Sequence, residues 1–103
     1  MKMILLFLTC ANQKEASKIV NALLRKRLIV CVKSMPVSSS FLWQGKKDSA
    51  KEVLLVMESI ESKFKAIENE IRKHHSYDTF VLLSVPVSQA STGIAKWMKQ
   101  ELK

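Results

Sequence analysis

The residues best suited to bind a metal ion are few: two cysteines, Cys10 and Cys31, and two adjacent histidines, His74 and His75. Thiolate, imidazole and carboxylate groups bind zinc and copper at about 2.0–2.3 Å. Cys10, His75 and Glu52 are therefore candidate ligands, with copper or zinc as the candidate ion. These three residues lie far apart in sequence and lack the short spacing of a zinc motif, so only the fold can bring them together.

Each of these residues also has a structural interpretation. Consecutive helical residues point about 100° apart, so His74 and His75 cannot bind one ion while both are helical. One would then face the solvent and the other would cap carbonyl groups at the helix end. Cys31 lies in an apolar strand, where we interpret it as a small hydrophobic side chain. The neighbouring Tyr77 and Asp78 suit the turn that follows this helix.

The sequence contains no catalytic arrangement, because it has no Ser-His-Asp order, Gly-rich phosphate loop or paired acid and base. We therefore predict that the protein is not an enzyme. An RNA-binding module of the RRM type needs exposed aromatic residues on its central strands, which here offer only Phe7. A trimeric nucleotide sensor needs glycine-rich loops, and glycine occurs only twice. Binding of a nucleotide or another anion stays open as the alternative function, through Arg25, Lys26, Arg27 and Lys46.

Length and charge indicate a single domain, residues 1–103, with a net charge of +8. The excess lies in residues 1–47, which contain nine basic residues and one acidic residue. We interpret it as a solvated helix surface and expect no nucleic-acid or membrane partner. The apolar run of residues 3–8 is short for a signal peptide, and no segment reaches the roughly 20 apolar residues of a membrane span. We expect a cytoplasmic protein with reduced cysteines.

The apolar periodicity predicts the element order β-α-β-β-α-β followed by a last helix. The predicted strands cover residues 2–10, about 28–43 with an interruption at Pro36, 51–59 and 79–87. Asn12 and Glu15 form a capping pattern before the first helix. The second helix carries Ile60, Phe64, Ile67 and Ile71, and the last begins at Ser91 or Thr92. This order predicts an α+β, ferredoxin-like βαββαβ sandwich with an extra C-terminal helix and sheet order 4-1-3-2.

The predicted strands are apolar on both faces, although the helices of this fold cover only one face. The simplest way to bury the second face is to pack it against another copy of the chain, so we predict a homo-oligomer. The second and third strands form a long hairpin with its turn near Gly45 and Lys46. Trp43 beside this turn is then expected to pack against a neighbouring subunit.

Several motifs in order resemble the CutA divalent-cation tolerance family across essentially the whole chain. They are "CVKSMP" at 31–36, Ser39-x-Phe41-x-Trp43-x-Gly45-Lys46, "EVLLVMES" at 52–59, "HSYD" at 75–78, "PV" at 86–87 and Trp97. The resemblance implies a tight homotrimer with a role in metal tolerance and metal binding, and no established enzymatic reaction. The residues we assign to the subunit interface are Phe41, Trp43, Gly45, Lys46, Tyr77 and Trp97.

The sequence also departs from the family pattern. Leu8 stands where some members have a metal-binding cysteine, and Cys10 lies on the same strand face about 6–7 Å further along. Ser76 replaces a proline before Tyr77. The other departures are Lys33 for asparagine, Phe41 for tyrosine, Glu58 for lysine and Phe80 for a second proline.

Overall fold

The computed structural model describes all 103 residues of the chain. Four strands and three helices follow one another along the chain. The strands are β1 (Met3–Cys10), β2 (Cys31–Trp43), β3 (Lys46–Ile60) and β4 (Leu82–Pro86), and the helices are α1 (Gln13–Arg25), α2 (Phe64–Arg72) and α3 (Ile94–Glu101). None of the three helices has the length and apolarity that crossing a membrane would require.

The sheet has the order β2-β3-β1-β4, and every neighbouring pair is antiparallel. The α+β, ferredoxin-like arrangement predicted from sequence is therefore confirmed. Cys10 is opposite Val53 and Cys31 is opposite Glu58, five positions further along β3. Both cysteines are free thiols, as their placement at different ends of the sheet predicts.

The hairpin of β2 and β3 extends beyond the rest of the sheet, because β1 pairs with β3 only from Val53 onward. Its turn is Gln44–Gly45, with φ values of 52° and 78°, and not the predicted Gly45–Lys46 pair. Trp43 and Lys46 are paired, which leaves a two-residue loop that requires positive φ at both positions. Pro36 lies on the edge strand as predicted, but it does not interrupt β2, whose register with β3 is continuous.

Several other predicted boundaries were wrong. The second strand begins at Cys31 and not near Leu28, because Arg27 is left-handed (φ 56°) and the Leu28 amide still donates to the Leu23 carbonyl. Ile60 ends β3, opposite Met3, and a short 3₁₀ turn at Glu61–Lys63 precedes α2. The last strand is shorter than residues 79–87, and α3 begins at Ile94 after the left-handed Gly93.

The two faces of the sheet are both apolar, but only one of them is buried. Along β1 the residues alternate between buried and half-buried, and the buried ones pack under the helices with α1 residues such as Ile19 and Leu23. The opposite face, here called the open face, is covered by no helix of the chain. It is formed by Leu5 and Phe7 of β1, Leu54 and Val56 of β3, and Leu83 and Val85 of β4.

Glu70 joins α1 to α2 through a buried carboxylate. Its Oε1 accepts hydrogen bonds from Lys26 Nζ at 2.8 Å and Lys73 Nζ at 3.3 Å, and its Oε2 contacts His74 Nε2 at 3.1 Å. Hydrogen bonds from Lys26 and His74 lower the pKa of Glu70 from 4.5 to about 2. The ionised carboxylate is therefore stabilised in the folded state.

Stability is expected to fall as the pH is lowered from about 4.5 to about 2, because Glu70 is protonated more readily in the unfolded chain. Above pH 4.5 the contribution of Glu70 is fully present. Urea unfolding of the wild type and Glu70→Gln across this pH range measures the effect. The Gln variant should show a flatter pH dependence, and equal slopes for the two proteins would contradict the prediction.

Candidate metal site at the rim of the sheet

Three side chains from three different elements meet where β1 ends. Cys10 is the last residue of β1, Glu15 lies in the first turn of α1, and His75 follows α2. One candidate ligand atom from each residue, a sulfur, a carboxylate oxygen and an imidazole nitrogen, lies within 4.8 Å of the other two. Cys10 and the His75 side chain are fully buried, and the Glu15 side chain is 9% exposed.

Glu15 connects the beginning of α1 to the segment after α2. The helix begins as predicted, because the Asn12 side chain accepts a hydrogen bond from the Glu15 amide at 2.8 Å. The Glu15 carboxylate accepts one bond from the Ala11 amide at 2.8 Å and another from the Ser76 amide at 2.7 Å. Burial alone would raise the pKa of Glu15, but the hydrogen bonds from Ser76 and Ala11 outweigh it and lower the pKa.

Both nitrogens of His75 are engaged in hydrogen bonds. Nε2 lies 2.8 Å from the Thr9 carbonyl oxygen, and the Tyr77 amide donates to Nδ1 at 3.1 Å. A carbonyl oxygen only accepts, so Nε2 carries a hydrogen and donates it to Thr9. Nδ1 is also 3.6 Å from Glu15 Oε2. Nδ1 is thus the nitrogen of His75 that lies beside the Glu15 carboxylate.

The Cys10 thiol is protonated in this environment. Burial, together with the nearby carboxylates of Glu15 and Glu52, raises its pKa to about 12. The thiol becomes a strong ligand only if a cation replaces its proton.

Glu52 lies beside this group of three residues and forms a separate contact. It is 8% exposed, and its Oε2 accepts a hydrogen bond from the Tyr77 hydroxyl at 2.9 Å. Burial and this bond raise the pKa of Tyr77 to about 12. The Tyr77 and Phe80 rings lie 4.9 Å and 5.0 Å from the His75 ring, so aromatic side chains flank the imidazole.

The structure brings together two of the three predicted ligands, Cys10 and His75, and adds Glu15, which the sequence analysis treated only as a capping residue. Glu52 is a neighbour of the site through Tyr77. The two structural interpretations of the histidines, exposure to solvent and capping of helix carbonyls, were wrong. Both residues follow the end of α2, where His74 contacts Glu70 and His75 contacts Thr9. The one sequence feature that could have identified Glu15 as a candidate ligand is its position in a capping pattern close to Cys10, the last residue of a strand.

Except for Tyr77, which lies beside His75, the remaining candidate residues lie away from this site. Cys31 is half-buried at the start of β2, and Lys33 Nζ lies 3.5 Å from its sulfur and 2.9 Å from Glu58. The large aromatic side chains assigned to the subunit interface are exposed in the single chain: Phe41, Trp43, Tyr77 and Trp97. Gly45 and Lys46 lie at the hairpin turn.

Residues 4–101 match the family model described as CutA1 divalent ion tolerance protein. The divalent-cation tolerance protein CutA of Thermotoga maritima is 31% identical over 100 residues, covering 97% of this chain and 99% of the relative. Protein CutA of Homo sapiens is 33% identical over 95 residues, covering 91% of this chain and 53% of the human protein, about half its length.

The fold agrees with a solved structure described as the periplasmic divalent cation tolerance protein CutA from Archaeoglobus fulgidus. The TM-score is 0.95 with 27% sequence identity, and the match covers 98% of this chain and 99% of that one. The similarity therefore includes the whole domain, with the extended hairpin and the last helix.

Proposed function

The chain belongs to the CutA1 divalent ion tolerance family, and we propose that it binds a copper or zinc ion at Cys10, Glu15 and His75 within a homotrimer. The observation that carries this proposal is the meeting of a thiol, a carboxylate and an imidazole in one buried site. These groups come from three elements, and together they form the mixed ligand set that suits zinc and copper.

The chemistry of the site fits a thiophilic divalent cation. The Glu15 carboxylate and a Cys10 thiolate would balance the two charges of the ion, which matters in a protein with a net charge of +8. His75 would add a neutral ligand through Nδ1, while Thr9 holds its Nε2–H and fixes the ring. Because the Cys10 proton must leave, uptake of the ion would release a proton.

Loss of metal binding in Cys10→Ser is the expected result that tests this proposal. Removing a ligand should weaken zinc affinity by at least about 100-fold, since even outer-shell partners are worth 10–100-fold. Native mass spectrometry during titration with Zn(II) and Cu(II) measures the stoichiometry, with one ion per chain expected for the wild type. His75→Ala should show the same loss.

Cys31→Ser is the matched control, because it removes the other free thiol without changing the candidate site. It should bind metal as the wild type does. Equal affinity of Cys10→Ser and the wild type would overturn the assignment of the site. A wild-type protein that binds neither ion would overturn the proposed metal-binding function itself.

The open face supports the proposal of a homotrimer. It presents apolar side chains from three neighbouring strands, including Leu83 and Val85, which are 56% and 43% exposed in the single chain. The hairpin also projects Leu42 and Trp43 into solvent, at 81% and 59% exposed. Surfaces of this kind usually mark contacts between proteins, and a second copy of the chain offers matching ones.

The anion-binding alternative receives less support from the contacts. Two of its four cations are already paired, Lys26 with Glu70 at 2.8 Å and Arg27 with Glu101 at 3.2 Å. We propose a binding protein without catalytic activity of its own. The cytoplasmic location stays a prediction, which cell fractionation would test.

A further inference from the structure

We infer that the backbone amides of Ser76 and Tyr77 compete with a metal ion for its ligand atoms, so that metal uptake releases these two amides from Glu15 and His75 while His75 itself is held by the ion. This inference rests on the proposed function, because it concerns the regulation of the Cys10–Glu15–His75 site. The segment of residues 75–78 would therefore have different positions in the free and in the metal-bound protein.

Glu15 is the first ligand for which competition occurs. Its carboxylate accepts bonds from the Ser76 amide on Oε1 and the Ala11 amide on Oε2, at 2.7 Å and 2.8 Å. A carboxylate has about four lone-pair positions, and these two bonds already occupy two of them. A cation that binds Glu15 must therefore displace one of the bonds or use a remaining position. The Ser76 bond spans 61 residues and joins α1 to the segment after α2, whereas the Ala11 bond is local.

His75 is the second ligand, and here the competition is complete. An unprotonated imidazole nitrogen has a single lone pair in the ring plane, and on Nδ1 it accepts the Tyr77 amide hydrogen at 3.1 Å. Nε2 is committed as a donor to Thr9. An ion can therefore bind His75 at Nδ1 only after the Tyr77 amide has moved away.

The consequence reaches beyond the site through the Tyr77 side chain. Its hydroxyl donates to Glu52 on β3, and the residue as a whole is 37% exposed. Displacement of the Tyr77 amide therefore places strain on the Tyr77–Glu52 bond or breaks it. Binding of an ion in the buried site would in this way change the position of Tyr77 at the surface, where a neighbouring molecule can contact it.

Hydrogen exchange of the wild type, with and without Zn(II), tests the inference directly. A bound ligand ordinarily slows exchange, but here the Ser76 and Tyr77 amides should exchange at least about tenfold faster in the metal-bound protein, because each loses its acceptor. The amide of Ala16, which donates to the Asn12 carbonyl at 3.1 Å, is the internal reference and should not be accelerated.

A pair of variants at one position tests the same competition through affinity. Ser76→Pro removes the amide hydrogen that Glu15 accepts, whereas Ser76→Ala keeps it and removes only the hydroxyl. Zinc should bind Ser76→Pro about tenfold more tightly than Ser76→Ala, since a hydrogen bond to a charged group no longer opposes the ion. Equal affinities of the two variants would contradict the inference.

The outcomes separate this inference from the proposed function. If zinc binds and the Ser76 and Tyr77 amides become more protected, the inference is wrong while the metal site stands. If zinc does not bind at all, the proposed function fails before the question of competition arises. If Ser76→Pro does not fold, the exchange measurement on the wild type still decides.

Discussion

Replacing Phe7 with glutamate is expected to turn the proposed homotrimer into a folded monomer of 11.7 kDa. Phe7 lies in β1 near the centre of the open face, between Val56 of β3 and Leu83 of β4. If a second copy covers this face, the substituted carboxylate becomes a buried charge without a partner. Such a charge costs about 3–5 kcal/mol, enough to dissociate a subunit contact.

The fold of the single chain should survive this change. Phe7 is half-buried and is not a member of the core, whose β1 members are Ile4, Leu6, Leu8 and Cys10. Sedimentation equilibrium gives the mass, and circular dichroism confirms that the sheet is present. Asn21→Glu, which adds the same charge to the exposed surface of α1, is the matched control and should stay assembled. A Phe7→Glu protein with the wild-type mass would remove the open face from the interface.

Much of the fold could be predicted from the sequence. The apolar periodicity of strands and helices was enough to give the element order, and the right-handed crossovers of that order gave the sheet order. Exact boundaries depended on backbone details that the residue types do not determine. Gln44 and Arg27 have positive φ, which is uncommon outside glycine, and each lies at a boundary that was predicted wrongly.

The candidate site was only partly predictable for a different reason. Cys10 and His75 stood out because cysteine and histidine are the usual ligands of zinc and copper, and the sheet topology placed them at one rim. Glu15 was one of nine acidic residues, and its position in a capping pattern already gave it a role. Its second role depends on the Ser76 amide, 61 residues away, and no local pattern records a contact of that kind.

The largest loss of stability outside the core is expected from Glu15→Ala. The variant removes the acceptor of two amide hydrogens, from Ala11 and Ser76, and each charge-assisted bond contributes about 1.5–3 kcal/mol. We expect the free energy of unfolding to fall by about 2–4 kcal/mol, measured by urea denaturation at neutral pH. Metal binding should be lost in the same variant, because Glu15 is also a proposed ligand.

The neighbouring Lys14→Ala is the control for this change, since Lys14 is exposed on the same helix turn and forms no ion pair. It should leave both stability and metal binding within error of the wild type. Glu15→Gln separates the two roles: its amide oxygen still accepts one hydrogen bond, so it should recover part of the stability while it lacks the charge that a cation needs.

The pH dependence of the wild type provides an independent test of the same residue. Because the folded state lowers the pKa of Glu15, its contribution to stability is present above the ordinary pKa of 4.5 and is lost as the pH falls through the lower, folded value. The stability difference between the wild type and Glu15→Ala should therefore shrink on acidification. A difference that stays constant with pH would mean that the Glu15 carboxylate is held by packing and not by its charge. In that case the Ala11 and Ser76 amides would not be what keeps the segment after α2 against the first helix.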